Sequence, residues 1–229
     1  MKRSEINAII SGLKPLIADQ SFHLPPFAHW TPEDWRTKGE ECREIVDAAL
    51  GWDVVDFGSG DFGRIGLALF TMRNGVHGDA RYPKPYCEKL LIVGEGQLTP
   101  DHHHRLKTED IIVRSGGNLM LSMQNAAPDG ELLDSPVTAT LDGVVHSFAP
   151  GEVVRLVPGQ SITFVPYLHH RFWAEPGCGT VLVGEVSSVN DDIGDNVFIP
   201  QMPRFADIEE DCPPLHYLCS DYGKFGVLS

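Results

Sequence analysis

Gly96-Gln97-Leu98-Thr99-Pro100-Asp101-His102-His103-His104-Arg105-Leu106-Lys107-Thr108-Glu109, closed after a further six residues by Gly116, is the stretch that decides this chain. Reduced to residues that bind metals or turn the backbone, it reads G-x5-H-x-H-x4-E-x6-G. His102 and His104 are two apart, so on an extended strand both imidazoles point to one side and His103 points away. Glu109 lies beyond a short turn, within reach of the same point. Another histidine pair, His169-His170, sits in a later strand-like stretch. Three imidazoles and a carboxylate suit a divalent first-row ion and leave positions open for water or substrate. These ligand types fit Mn²⁺, Fe²⁺, Co²⁺, Ni²⁺ or Zn²⁺ without choosing among them. An open site of this kind acts as a Lewis acid on a carbonyl or a vicinal hydroxyl.

Outward from this segment the pattern is that of short strands. Residues 65–72, 88–93, 110–113, 119–124, 137–141, 153–156, 161–166, 171–174 and 180–187 read as strands. Asn74-Gly75, Ser115-Gly116-Gly117, Pro128-Asp129-Gly130, Asp142-Gly143, Pro150-Gly151, Pro158-Gly159 and Pro176-Gly177 punctuate them. Such regular turn spacing predicts a mainly β sandwich or barrel. The N-terminal part differs. Ile6, Ile9, Ile10, Leu13 and Ile17 recur at helical spacing, with Pro15 expected to end or kink that helix. Thr31 is a plausible N-cap ahead of Pro32, Glu33 and Asp34. Cys42, Ile45, Val46, Ala49 and Leu50 then line one face up to Gly51, a natural stop. The expected organisation is one domain over 1–229. It has a helical extension over 1–51, a β-barrel over 52–190 and a tail over 191–229 that wraps the barrel or covers one mouth.

The 229 residues carry 18 basic and 32 acidic side chains, a formal charge of −14. Nucleic acid and anionic membranes repel such a surface, so neither is expected as a partner. Hydrophobic content of 42% is enough for a substantial core. The five cysteines, Cys42, Cys87, Cys178, Cys212 and Cys219, are odd in number and widely spaced, which predicts free thiols and a cytoplasmic protein. No run approaches the roughly 18 apolar residues of a membrane span.

The frame of Gly96, His102, His104, Glu109 and Gly116 is similar to the first motif of the cupin family in full, which implies a cupin jelly-roll barrel. The second cupin motif, G-x5-P-x-G-x2-H-x3-N, is matched less well. Here Pro158-Gly159 opens the stretch and Pro166 follows, but Leu168 stands where a glycine is expected. The turn is one residue short, and no asparagine comes after the histidines. His170 is taken as the fourth ligand, because histidine-x-aromatic at a strand start resembles the family's second ligand strand and places His170 and Phe172 inward together. His169 remains the alternative.

Several further segments, in order, resemble the D-lyxose isomerase family. They are Phe22-His23-Leu24-Pro25-Pro26-Phe27-Ala28, Leu50-Gly51-Trp52-Asp53, Asp56-Phe57-Gly58-Ser59-Gly60-Asp61-Phe62, Glu88-Lys89-Leu90, Lys107-Thr108-Glu109-Asp110-Ile111 and Gly184-Glu185-Val186-Ser187-Ser188-Val189-Asn190-Asp191-Asp192. The resemblance implies a Mn²⁺-dependent cupin, a homodimer, acting on a free small-molecule sugar. It would interconvert D-lyxose with D-xylulose, and D-mannose with D-fructose, through a cis-enediol. The residues themselves suit that chemistry. Glu185 lies in Val181-Leu182-Val183-Gly184-Glu185-Val186, where alternation sets it opposite the valines or facing a polar barrel interior. In the second case it is a candidate general base. Lys89 and Lys107 are candidate stabilisers of a developing oxyanion. Asp192 and Arg204 are candidates for sugar hydroxyls, and Phe27 and Trp30 for an apolar pocket wall or simply core packing. A dioxygenase could use Fe²⁺ on the same four ligands. Other metal-dependent sugar epimerases or isomerases, and a non-catalytic sugar-binding cupin, are the remaining readings.

Overall fold

The computed structural model describes residues 1–228. In chain order the helices are α1 (Arg3–Asp19), α2 (Pro32–Trp35) and α3 (Arg43–Asp47). The strands are β1 (Gly51–Val55), β2 (Leu67–Arg73), β3 (Tyr86–Val93), β4 (Leu98–His104), β5 (Glu109–Gly116), β6 (Leu119–Ala126) and β7 (Leu132–Leu133). They continue as β8 (Val137–Leu141), β9 (Val144–Phe148), β10 (Val153–Leu156), β11 (Ser161–Phe164), β12 (Leu168–Ala174), β13 (Val181–Ser188) and β14 (Asn196–Phe198). Their ladders are antiparallel. Among the described residues one sheet runs β1-β2-β3-β13-β5-β11-β8-β9 and the other β10-β6-β12-β4-β14, with β7 on β6. The two sheets face each other as the mainly β barrel that the strand pattern predicts, of the cupin kind that the Gly96–Gly116 motif implies.

Strand alternation builds two cores. Leu67, Leu69, Leu91, Val93, Ile111, Val113, Val181 and Val183 point into the barrel and meet Leu119, Leu121, Met123 and Phe172 from the smaller sheet. Ala68, Phe70, Leu90, Ile92 and Leu182 point out, where Ile6, Ile10 and Ile17 of α1 cover them. The central strands of the large sheet are therefore buried on both faces. That is why Leu90-Leu91-Ile92-Val93 is a continuous apolar run rather than an alternating one. β9, by contrast, is an edge strand and exposes Val144 and Val145.

The helical region departs from expectation. α1 runs through Pro15 to Asp19. The proline removes one backbone N–H, yet Ile17 beyond it is buried against the sheet and holds the last turn in place. Thr31 and Asp34 do form a reciprocal capping box around Pro32. The helix expected up to Gly51 is instead broken. α2 spans one turn, a 3-10 turn covers Glu40–Cys42, and α3 follows. Gly51 does not stop a helix. It opens β1 with φ of 116°, and β1 itself lies outside the predicted strands, as do β7, β9 and β14. The segment after residue 190 is more than a wrap, because β14 pairs with β4 and extends the smaller sheet. All five cysteines are free thiols. No helix among the described residues is long and apolar enough to cross a membrane.

Candidate active site

The motif glycines explain the local path. Gly96 has φ of 67° and Gly116 has φ of 84°, both left-handed. A Cβ on Gly116 would also collide with the Thr180 carbonyl, where β5 meets the start of β13. Between them β4 carries His102 and His104 on its inner face, and β5 begins at Glu109. β12 pairs with β4 so that His170 faces His102 across the ladder. The ring centroids of His102 and His170 are 4.4 Å apart, those of His102 and His104 5.3 Å, and those of His104 and His170 5.9 Å. One ligand atom from each of His102, His104, Glu109 and His170 lies within 4.8 Å of all the others. His169 and His103 turn to the opposite face of the sheet, 5.7 Å apart, with Tyr167 beside His103.

Hydrogen bonds fix the tautomers of two of these imidazoles. His102 Nδ1 lies 2.8 Å from the Pro100 carbonyl oxygen, and His170 Nδ1 lies 2.8 Å from that of Leu168. A carbonyl only accepts, so each Nδ1 carries a proton and Nε2 is the ring nitrogen left to face the tetrad. His170 Nε2 is buried without a hydrogen-bond partner, and so is His104 Nδ1. Burial and the neighbouring imidazoles hold His102 well below the ordinary histidine range, which keeps it neutral. Burial and Lys107 lower His104 in the same way. Burial pushes Glu109 up, but Lys107 and His104 outweigh it and keep its carboxyl well below the usual range. Ring nitrogens that converge on a charged carboxylate, with His102 and His104 lowered by burial, suit a divalent ion. The residues fit such an ion.

Beside the tetrad lies a second charged group. Glu185 on β13 is in register with Lys89 on β3, and both face inward. Glu185 shares its face with Val181 and Val183 rather than opposing them, so it points into the barrel. Its Oε1 accepts from Lys107 Nζ at 2.9 Å and lies 3.2 Å from Lys89 Nζ. Lys107 Nζ also reaches Glu109 Oε2 at 2.7 Å, and thus bridges Glu185 to the tetrad. Burial raises the Glu185 carboxyl, but Lys107 and Lys89 lower it further, so it is charged near neutrality. Burial lowers Lys107, while Glu109 and Glu185 hold its ammonium above the ordinary value.

These groups line a cavity with an apolar side formed by Phe57, Leu69, Leu91, Phe172 and Phe198. Asp192 and Arg204 line it too. Arg204 donates to Asp192 Oδ1 at 3.0 Å and to Asp53 Oδ2 at 2.5 Å. Burial would raise Asp192, but Arg204 and Lys89 pull it below the usual carboxylate range. Phe27 and Trp30 lie elsewhere. Phe27 packs on Phe70, on the outer face of β2, and Trp30 packs on Trp35, so both sit in the packing outside the barrel rather than in the cavity wall.

Sequence reasoning passed over Asp53, Asn74, Asn190 and Asp195. Asp53 anchors Arg204 from β1. Asp195 accepts from the backbone N–H groups of Leu106 and Lys107 at 2.7 and 3.0 Å and so fixes the turn between His104 and Glu109. Asn190 accepts from Lys89 Nζ at 2.7 Å, and Asn74 holds the Asn190 backbone. Asp53 and Asn190 do fall within the segments that resemble the isomerase family. For Asn74 and Asp195 no pattern in the chain marks a role, because their partners lie far away in sequence.

A family model described as D-lyxose isomerase matches residues 1–222. A D-lyxose/D-mannose isomerase of Serratia proteamaculans is 47% identical over 98% of this chain and 99% of its own length. Its counterpart in Escherichia coli O157:H7 is 45% identical over 98% of this chain and 100% of its own. Among solved structures, the L-ribose isomerase of Cellulomonas parahominis with L-psicose superposes with a TM-score of 0.60 at 20% identity, covering 91% of this chain and 98% of the other. The L-ribose isomerase of Geodermatophilus obscurus gives 0.59 at 19% identity, with 91% and 98% covered. At such identities these two superpositions speak for the fold alone.

Proposed function

Because the chain belongs to the D-lyxose isomerase family, we propose that it is an aldose–ketose isomerase converting D-lyxose to D-xylulose and D-mannose to D-fructose, with His102, His104, Glu109 and His170 as ligands of Mn²⁺ or another divalent first-row ion. The observation that carries this reading is Glu185, a buried carboxylate that is not one of the four candidate ligands and faces the cavity beside them. When bound, the ion supplies Lewis acidity toward a carbonyl and its neighbouring hydroxyl. Glu185 takes the proton from the carbon next to the carbonyl and returns it to the former carbonyl carbon, while the hydroxyl proton passes from the neighbouring oxygen to the former carbonyl oxygen, so the sugar passes through a cis-enediol. Two ammoniums press on Glu185 and lower its basicity. The acidity of the carbon must therefore be raised from the electrophilic side. Lys89 lines the cavity and offers a positive charge to the oxygen that becomes negative. Asp192 and Arg204, locked to each other, present fixed acceptor and donor groups to sugar hydroxyls.

Charge and shape favour a free sugar. Arg204 is the one arginine lining the cavity among the described residues, and Asp53 and Asp192 already occupy it, so no arginine cluster awaits a phosphate. A wall of interlocked lysines and carboxylates also suits a polyol better than the dioxygenase or storage readings. The test is product analysis after Mn²⁺-loaded protein is incubated with a panel of free aldoses and ketoses. D-xylulose from D-lyxose is expected. An absence of any aldose–ketose conversion would overturn the reading. We also propose a homodimer, and light scattering that shows a monomer at micromolar concentration would refute it.

A further inference from the structure

Lys89 and Lys107 look alike in sequence but are bonded differently. Lys107 Nζ faces Glu109 Oε2 at 2.7 Å, Glu185 Oε1 at 2.9 Å and Asn190 Oδ1 at 3.4 Å. An ammonium has three N–H donors, so Lys107 is fully used within the protein. Lys89 Nζ faces Glu185 Oε1 at 3.2 Å and Asn190 Oδ1 at 2.7 Å. Its third N–H has no protein acceptor among the described residues, and Lys89 lines the cavity. One amide oxygen, Asn190 Oδ1, thus serves both lysines from behind. Asn190 itself is not part of the cavity wall. It lies with Asn74 at a separate cleft.

Asn190 is held there by a reciprocal clamp. Asn74 Oδ1 accepts from the Asn190 backbone N–H at 3.0 Å, and Asn74 Nδ2 donates to the Asn190 carbonyl at 3.0 Å. Asn74 Nδ2 also reaches the Ala48 carbonyl at 3.4 Å. The clamp grips only the backbone of Asn190 and leaves its side chain to accept from the lysines through Oδ1 and to hydrogen-bond Asp192. A neutral amide matters at this position. It accepts from Lys89 without adding a further carboxylate next to Glu109, Glu185 and Asp192, so the ammonium keeps its positive charge for the cavity.

Resting on the isomerase reading above, we propose that Asn190, clamped by Asn74, is a positioning residue that aims the free N–H of Lys89 at the substrate oxygen on which negative charge develops, while Lys107 serves to hold Glu185 and Glu109 in place. The division follows from donor counting. Lys89 can bind a substrate oxygen without breaking a bond, and Lys107 cannot. Removing the Asn190 acceptor frees Lys89 to swing and blurs its aim. Misplacement of a catalytic group by about 1 Å costs up to roughly 100-fold in rate.

The experiment uses the full-length Mn²⁺-loaded protein and the variants Asn190→Ala, Lys89→Met and the double variant. Truncating Asn190 leaves the backbone clamp intact, so folding and metal content should persist. With D-lyxose, kcat of Asn190→Ala is expected to fall about 10- to 100-fold with KM nearly unchanged. Because Asn190 acts through Lys89, the double variant should be no slower than Lys89→Met alone. A second readout is independent of turnover. In ¹⁵N spectra of the lysine ammonium groups, the protected Lys89 signal should broaden in Asn190→Ala. An undiminished kcat in Asn190→Ala, additive losses in the double variant, or an unaltered Lys89 signal would each overturn the proposal. A wild-type protein that converts no aldose would instead overturn the isomerase reading, and the ammonium spectrum would still decide where Lys89 is held.

Discussion

Replacing Glu185 by glutamine keeps its shape and removes its charge, which separates proton transfer from metal binding. Glu185 touches Lys89 and Lys107 but is not one of the four clustered candidate ligands. Glu185→Gln is therefore expected to keep its metal and lose about 10²–10⁴-fold in turnover. Near-native turnover would remove Glu185 from the chemistry. The histidine pair gives a second residue-level contrast. His170 stands 3.3 Å from Glu109 Oε1, while His169 turns to the other face of the sheet, with Nε2 3.7 Å from Asp101. Metal analysis should find His170→Ala depleted and His169→Ala loaded. The reverse result would exchange their roles. Both histidines were legible as candidates in the sequence, where the histidine-x-aromatic resemblance selected His170 without showing the physical basis of the choice. That choice depends on β-strand parity, and parity is set by where β12 enters its ladder with β4 and β6.

At the scale of elements, α1 acts as the outer cover of the large sheet. Ile10 is fully buried between the helix and Phe70, Leu90 and Ile92 of the sheet's outer face. Ile10→Ala removes a branched side chain from a packed core and should cost about 2–5 kcal/mol of stability by urea denaturation. Metal content should be unaltered, because the helix and the tetrad lie on opposite sides of the sheet. A loss below about 1 kcal/mol would mean that the helix is only loosely docked. The periodicity of this helix was readable from its isoleucines. Its passage through Pro15 was not, because the burial of Ile17 that secures it belongs to the sheet rather than to the helix. The broken stretch from Thr31 to Gly51 has the converse cause. A local apolar pattern there resembles one amphipathic helix, yet Trp35 and Cys42 are drawn into a small core with Tyr222 and Val227 from the chain's end.

For the whole molecule, the two ends of the chain are tied by charge. Arg3 is fully buried and donates to Glu210 and Asp221, each at 2.8 Å, which joins the first helix to the C-terminal segment. The hydrogen bond from Arg3 holds the Glu210 carboxyl down at about 2, against the opposing effect of burial and with help from Lys224. A carboxyl whose folded pKa lies below its ordinary value contributes stability above that ordinary value, and loses it as pH falls toward the folded pKa. The stability gap between wild type and Glu210→Gln should thus be widest near pH 7. It should narrow below about 4.5 and close near about 2. Denaturant titrations at several pH values measure it, and a gap independent of pH would detach Glu210 from the tie.

The sequence by itself determined the barrel class, the four candidate ligands and the acid–base candidates. Each of these rests on a local rule: two-residue parity on a strand, glycines at left-handed turns, and residue types with fixed chemistry. The tertiary structure sets His170, rather than its alternative His169, against Glu109, and it alone decided that Phe27 and Trp30 pack outside the barrel and that Asp53, Asn74, Asn190 and Asp195 support the cavity. It also distinguished Lys107, saturated by three acceptors, from Lys89, which keeps one donor for the cavity. The physical reason is common to all of these. A hydrogen bond or an ion pair is satisfied in three dimensions by whatever group the ladders bring within about 3 Å, and here those groups are often a hundred residues away, as Asn74 is from Asn190.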